Sequence, residues 1–222
     1  MVRDKMKKCI IIANGKSPTK NIVQFFYNNG YSTIICADGG ANSAQKLGIT
    51  PDYIIGDFDS IKSEVVEIFK NKSTFIKYKR QNDTDVEKCL KYAIKKKYKE
   101  VILLGVTGDR LDHTICNLGI VIKYYQQIKT FIVAENSFLI PTNRNIIIKS
   151  LPGETISIYA FDLNTKITSS GLKYSLKNTA LPFGVRESTS NVSNRSIVKL
   201  NVKNGIIFII RDLNFVKKNG LF

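Results

Sequence analysis

"YIIGDFDS", residues 53–60, holds the reading of the fold. The run Tyr53-Ile54-Ile55 meets a glycine and then two carboxylates, Asp57 and Asp59, with Phe58 between them and Ser60 after. A short apolar run bounded by turn residues reads as a buried strand. Strand residues two apart point the same way. That periodicity puts Asp57 and Asp59 on one side and turns Phe58 away, towards packing. Like charges on one side repel, so either a cation relieves them or water and a helix start do. Val65, Ile68 and Phe69 follow with helical spacing, which makes Asp59 or Ser60 a candidate helix cap.

The same grammar extends in both directions. Strand candidates are Cys9–Ala13, Thr33–Ala37, Tyr53–Ile55, Thr74–Lys77, Val101–Leu104 and Thr130–Ala134. Between the later ones lie helical stripes: Val86, Cys89, Leu90, Ala93 and Ile94, then Leu111, Ile115, Leu118 and Ile122 as a core face. Such alternation predicts an α/β unit, a mostly parallel sheet with helices on both faces. From Asn143 the pattern changes to short strands, "NIIIKS", "TISIYAF", "SIVKLNV" and "GIIFIIRD", with no amphipathic helix. A smaller all-β sandwich domain is expected there. The boundaries are 1–142 for the α/β domain and 143–222 for the β domain. "ESTSNVSNRS", residues 187–196, is polar enough to read as a mobile loop.

Composition narrows the function. The chain has 222 residues, 43% of them hydrophobic, enough for a real core. Twenty apolar residues never run together, so no transmembrane helix is expected. The apolar stretch near the start is too short for a signal peptide, and a cytoplasmic protein is expected. Four scattered cysteines and the single His113 argue against a zinc site. The net charge of +16 raises the question of an anionic partner. Its lysines are scattered without interleaved aromatics, and no nucleic-acid-binding motif occurs, so no nucleic acid partner is expected. A salt-sensitive nucleic-acid binder stays as the competing class. No P-loop pattern occurs, and "ANGKSP" stands after the first strand where a dinucleotide fingerprint would lie.

Parallel α/β sheets collect ligands at the carboxyl ends of their strands. Four successive ends carry "DGGAN" (38–42), "GDFDS" (56–60), "KRQNDTD" (79–85) and "GVTGDRLDH" (105–113). Asp38, Asp57, Asp59, Asp83, Asp85, Asp109 and Asp112 all fall in them. Hard carboxylate oxygens suit Mg²⁺, which takes one or two carboxylates plus substrate phosphates. Asp57 and Asp59 are read as metal ligands. Asp85 reads equally well as a ligand or as a first-turn acid, since Thr84 and Glu87 fit a capping box. Gly39-Gly40 permits close backbone approach to a ligand. Gly105 and Gly108 precede a helix N-terminus, a natural phosphate seat, with Arg110 beside it. On that helix Arg110, His113 and Asn117 share the face opposite the apolar stripe.

In this order, "DGGAN", "GDFDS", "QNDTD" and "GVTGDRLDH" resemble the thiamine pyrophosphokinase (thiamin diphosphokinase) family. "SSGLKY" (169–174) and "TSN" (189–191) are similar to its C-terminal substrate-binding stretch. This chain has Asp109 where many members have a second glycine before the arginine. The resemblance implies a catalytic α/β domain, a thiamine-binding β-sandwich, and a homodimer with each active site at the subunit interface. It implies Mg²⁺-dependent transfer of pyrophosphate from ATP to thiamine, giving AMP and thiamine diphosphate. It implies metal binding by Asp57, Asp59 and Asp85, Gln81 and Thr84 near the reacting groups, phosphate binding by Arg110, and Ser190 and Asn191 facing thiamine. The remaining candidates for substrate contact are Asp38, Gly39, Gly40, Asn42, Gly105, Thr107, Gly108, Asp112 and His113. A related pyrophosphokinase for another heterocyclic alcohol, such as a pterin, and a non-catalytic ATP or thiamine sensor are the alternatives.

Overall fold

The structure, a computed structural model, describes residues 6–78, 82–108 and 110–222. Gln81 and Asp109, both singled out from the sequence, lie outside the described residues. The chain divides into two compact units, 1–135 and 136–222.

The first unit alternates β1 (Lys8–Ile12), α1 (Lys20–Asn28), β2 (Thr33–Ala37), α2 (Gly40–Lys46), β3 (Tyr53–Gly56), α3 (Ser63–Phe69), β4 (Thr74–Lys77), α4 (Asp85–Lys95), β5 (Glu100–Leu104), α5 (Leu111–Lys123) and β6 (Lys129–Ala134). Its strands are all parallel, in the order β6-β5-β1-β2-β3-β4. Parallel crossovers are right-handed, so reversing direction after β4 places α4 and α5 on the face opposite α1, α2 and α3. This is the fold class expected from the sequence. The order reverses between β1 and β5, the topological switch point where ligand crevices open. Both strands are continuous apolar runs, and Cys9–Ile12 and Val101–Leu104 are wholly buried, as strands covered on two faces must be.

α4 buries the face expected of it, through Val86, Cys89, Leu90 and Ala93. α5 does not. Leu111 and Ile115 are 68% and 61% exposed, while Asn117, Ile120 and Val121 are buried. The expected core stripe is thus largely a surface stripe. Asn117 is held inward because its side-chain amide donates to Val106 O at 2.8 Å.

The second unit contains β7 (Ser137–Thr142), β8 (Ile146–Lys149), β9 (Thr155–Tyr159), β10 (Lys166–Ser170), β11 (Thr179–Ala180), β12 (Ser188–Val192), β13 (Ile197–Lys203), β14 (Ile207–Asp212) and α6 (Leu213–Lys218). Antiparallel strands run in the orders β12-β9-β14-β7 and β11-β10-β13-β8. One core takes Ile156, Ile158, Ile207 and Ile209 from the first set and Ile148, Ile167, Val198 and Leu200 from the second, which makes a sandwich. The compact units divide after Glu135, and β7 pairs with β14 within the second. Two expectations are corrected. The 187–196 stretch is not a loop throughout, since β12 pairs with β9 across a bulge. The unit also ends in a short helix, α6, capped by Asp212 accepting from Phe215 N.

Candidate active site

β2 and β3 lie side by side in register, with Ala37 opposite Ile55. The ladder continues one step further, as Asp38 N donates to Ile55 O at 2.9 Å. Beyond it the backbone turns sharply. Asp38 and Phe58 have φ of 39° and 70°, a region that side-chain-bearing residues avoid and bulky ones avoid most. β3 ends at Gly56, so Asp57, Phe58 and Asp59 are outside the strand. Their arrangement comes from the left-handed turn at Phe58 rather than from strand alternation, which corrects the periodicity argument while keeping its outcome. The Phe58 ring packs edge-on against Phe75, centroids 5.6 Å apart.

The result is a triad. Asp38, Asp57 and Asp59 each offer a carboxylate oxygen, all within 4.8 Å of one another. Asp38 is 1% exposed. Its Oδ1 and that of Asp57 are buried with no hydrogen-bond partner, a state that costs on the order of 1–3 kcal/mol per group. Asp38 Oδ2 accepts from Ser60 N, and Asp59 Oδ1 accepts from Ser60 Oγ. Burial, with the neighbouring Asp59 and Asp85 charges, pushes the Asp38 carboxyl up to about 6 against the pull of the Ser60 N–H. Asp59 is held below the usual range, chiefly by the Ser60 hydroxyl. An all-oxygen donor set with orphaned buried lone pairs fits a hard divalent cation such as Mg²⁺.

Asp85, expected among the metal ligands, stands beside this triad and accepts from Lys88 Nζ at 2.7 Å. Asp38, expected only as a substrate contact, takes the third place. Thr84 does cap α4, its Oγ1 accepting from Glu87 N at 3.2 Å. The Glu87 carboxylate turns to Lys123 Nζ and Tyr124 Oη instead, each at 2.6 Å. The expected cap by Asp59 or Ser60 does not form. α3 starts later, at Ser63, with Lys62 in the cap position and no side-chain cap. Asn42 shapes that turn, accepting from Lys62 N and donating to Ser60 O.

A cleft of about 720 Å³ opens at the switch point. Its walls are Asn14–Lys16 after β1, Gly39 after β2, Ser60, Thr84 and Asp85, Gly105–Gly108 after β5, and Arg110, His113 and Asn117 at the start of α5. The β1 and β5 loops are stitched together by Gly15 N→Gly105 O and Lys16 N→Thr107 O, both 2.7 Å. Only glycine fits there. A Cβ on Gly15 would stand 2.4 Å from Thr107 O, and one on Gly105, at φ +65°, 2.5 Å from Ala13 O. Gly40 serves packing rather than the cleft, since a Cβ there would stand 2.1 Å from Ile12 O. Arg110 is in the N-cap position of α5, which has no side-chain cap. Asp112 grips the Arg110 guanidinium with both oxygens, at 3.0 and 2.6 Å, and this pushes its own carboxyl down to about 2.

Sequence reasoning thus finds Gly39, Thr84, Asp85, Gly105, Thr107, Gly108, Arg110 and His113 in the cleft wall. It misses Asn14, Gly15 and Lys16, because "ANGKSP" carries no acid and no dinucleotide fingerprint. The strand-end rule applied to β1 would have included them. In the second unit Ser190 is exposed at φ 53°. Asn191 is buried, its amide spent on Tyr174 N, Tyr174 O and Ser188 Oγ, a local clamp on the strand.

Fold and site define an α/β protein with a cleft at the carboxyl edge of its sheet and a carboxylate triad beside it, followed by a β-sandwich. Residues 26–133 match the thiamin pyrophosphokinase catalytic domain and residues 144–207 the thiamin pyrophosphokinase vitamin B1 binding domain. Thiamine pyrophosphokinase 3 of Oryza sativa subsp. japonica is 30% identical over 187 residues, 71% of this chain and 70% of the relative. Thiamine pyrophosphokinase of Bacillus subtilis is 28% identical over 214 residues, 93% of this chain and 99% of the relative. The crystal structure of thiamine pyrophosphokinase from Bacillus subtilis has the same fold, with a TM-score of 0.79 at 23% identity, covering 92% of this chain and 99% of that one. The chain belongs to the thiamine pyrophosphokinase family. Among the described residues no helix is long and apolar enough to cross a membrane.

Proposed function

We propose that the chain is a thiamine pyrophosphokinase that moves the pyrophosphoryl group of ATP to the hydroxyl of thiamine, giving thiamine diphosphate and AMP. The observation that carries this reading is the triad of Asp38, Asp57 and Asp59, with two orphaned buried oxygens, beside a cleft walled by Lys16, Arg110 and the Gly105–Gly108 turn.

The triad would hold Mg²⁺, which supplies charge neutralisation for the transferring group. Asp85 faces the cleft next to it. Arg110, Lys16 and the N–H groups of the Gly105–Gly108 turn bind and orient the polyphosphate. Asp112 aims the Arg110 fork. Thr84 lies in the cleft wall near the reacting groups, and the family resemblance makes Gln81 a candidate to orient the hydroxyl. The α/β unit serves ATP and metal, the β unit serves thiamine through Ser190, with a proposed functional boundary at residues 142 and 143, and two copies complete each site as a homodimer. A cytoplasmic setting is supported by the free, buried thiols of Cys9, Cys36 and Cys89.

The test is incubation with ATP, Mg²⁺ and thiamine, with chromatography of the products. AMP and thiamine diphosphate in equal amounts, lost on adding a chelator, are expected. ADP with thiamine monophosphate would contradict pyrophosphoryl transfer. Binding without ATP consumption would make the chain a sensor, and turnover of a pterin alcohol in place of thiamine would reassign the substrate.

A further inference from the structure

Lys88 is a lysine where lysines seldom are. Its side chain is 5% exposed, and lysine is almost never buried unless paired. It sits one turn into α4, beside Cys89, whose thiol lies against Cys36 O and Ile55 O in the floor beneath the β2 and β3 ends. Its Nζ is 2.7 Å from Asp85 Oδ1 and 3.7 Å from Asp57 Oδ2. Both partners belong to the acidic edge, and one ammonium cannot offset both charges. Four carboxylates, Asp38, Asp57, Asp59 and Asp85, face one ammonium, and two oxygens remain orphaned.

We propose that Lys88 is a positioning residue, a resident counter-cation that holds Asp57 and Asp85 in place from below and divides the neutralisation of the acid cluster with the exchangeable divalent cation above. This rests on the metal reading of the triad given under the proposed function. The physical reason is the imbalance itself. A permanent charge on a rigid helix keeps the cluster assembled while it is empty, and leaves enough negative charge uncancelled to attract a divalent ion. Without Lys88, ordering of the cluster would depend on that ion.

The test uses the full chain with Lys88→Met, which keeps length and removes charge, and Lys88→Arg, which keeps charge. Thermal melting is followed in chelator and in saturating Mg²⁺ alone, and Mn²⁺ binding by electron paramagnetic resonance. Lys88→Met is expected to melt earlier than the unaltered chain in chelator and to regain most of the loss in Mg²⁺, so its Mg²⁺-dependent shift exceeds that of the unaltered chain. Its kcat should fall about 10- to 100-fold, the range for groups that orient metal ligands, with the KM for thiamine unchanged and partial rescue by Lys88→Arg. If Lys88→Met folds poorly, the double variant Lys88→Met/Asp85→Asn, which restores the charge balance, should recover the lost stability in chelator. An equal Mg²⁺ shift in Lys88→Met and the unaltered chain, or no recovery in the double variant, overturns the role of Lys88. Absence of Mn²⁺ binding by the unaltered chain, with or without ATP, overturns the metal reading and this inference with it.

Discussion

Both units of the molecule bury carboxylates, and Glu154 of one and Asp38 of the other are treated in opposite ways. In the β unit Glu154 is fully buried and fully answered. Arg211 Nε and Nη2 reach its two oxygens at 2.6 and 3.0 Å, and Ser150 Oγ donates at 2.5 Å. Arg211 also donates to Lys149 O and Leu221 O. In the α/β unit Asp38 is as deeply buried, yet it faces other acids and keeps an oxygen without a donor. A balanced buried pair serves the fold, while an unbalanced cluster costs stability and is kept where a ligand completes it.

Substitutions can break that contrast from either side. The largest effect is expected from Asp57→Asn, which removes a triad charge while keeping shape. Turnover should fall by about 10³-fold, the scale of several kcal/mol of lost charge stabilisation, with the melting temperature in chelator unchanged or raised. Near-normal turnover would remove Asp57 from the metal site. Arg211→Met should do the reverse. It leaves Glu154 buried and unpaired and should cost about 3–5 kcal/mol of stability, read by urea unfolding. Activity per folded molecule should stay intact. A loss under about 1 kcal/mol, the worth of an exposed pair, would contradict the pairing of Arg211 with Glu154.

Asp38→Asn gives the smallest and most diagnostic effect. Burial pushes the native Asp38 carboxyl up to about 6 from an ordinary 3.8. Between those values the native state binds more protons than the unfolded one, so stability falls as pH rises through this window and stays lowered above it. The asparagine lacks this loss. In chelator the variant should gain about 1–2 kcal/mol above pH 6, discounted from the shift, and the gain should vanish near pH 4. Equal stability curves for both forms would show that Asp38 is not strained by its surroundings.

Much of the parallel unit is legible in the sequence. β2 and β4 have the expected ends, and β1, β3, β5 and β6 differ by a residue at one end or both. Their apolar runs are short, continuous and bounded by turn residues, so local information suffices. β10, β11 and β12 are not legible, because they are short and mostly polar. β10 reads Lys-Ile-Thr-Ser-Ser with only Ile167 and Ser169 buried. The α5 stripe misled for a related reason. Helical spacing shows that Leu111 and Ile115 share a face, but not whether anything covers that face within the chain.

The site divides along the same line. From the sequence alone come the acids and glycines that follow successive strands, and the order that carries the family resemblance, since both are properties of neighbours along the chain. Which acids meet is decided only in three dimensions. Asp38 joins Asp57 and Asp59 because β2 and β3 pair in register and because Asp38 and Phe58 take left-handed conformations. Asp85 turns to Lys88 because α4 lays that lysine beneath the strand ends. "YIIGDFDS" announced a pair of charges in need of relief. Only the packing of a neighbouring strand and a distant helix set the third carboxylate against them and the buried Lys88 ammonium beneath.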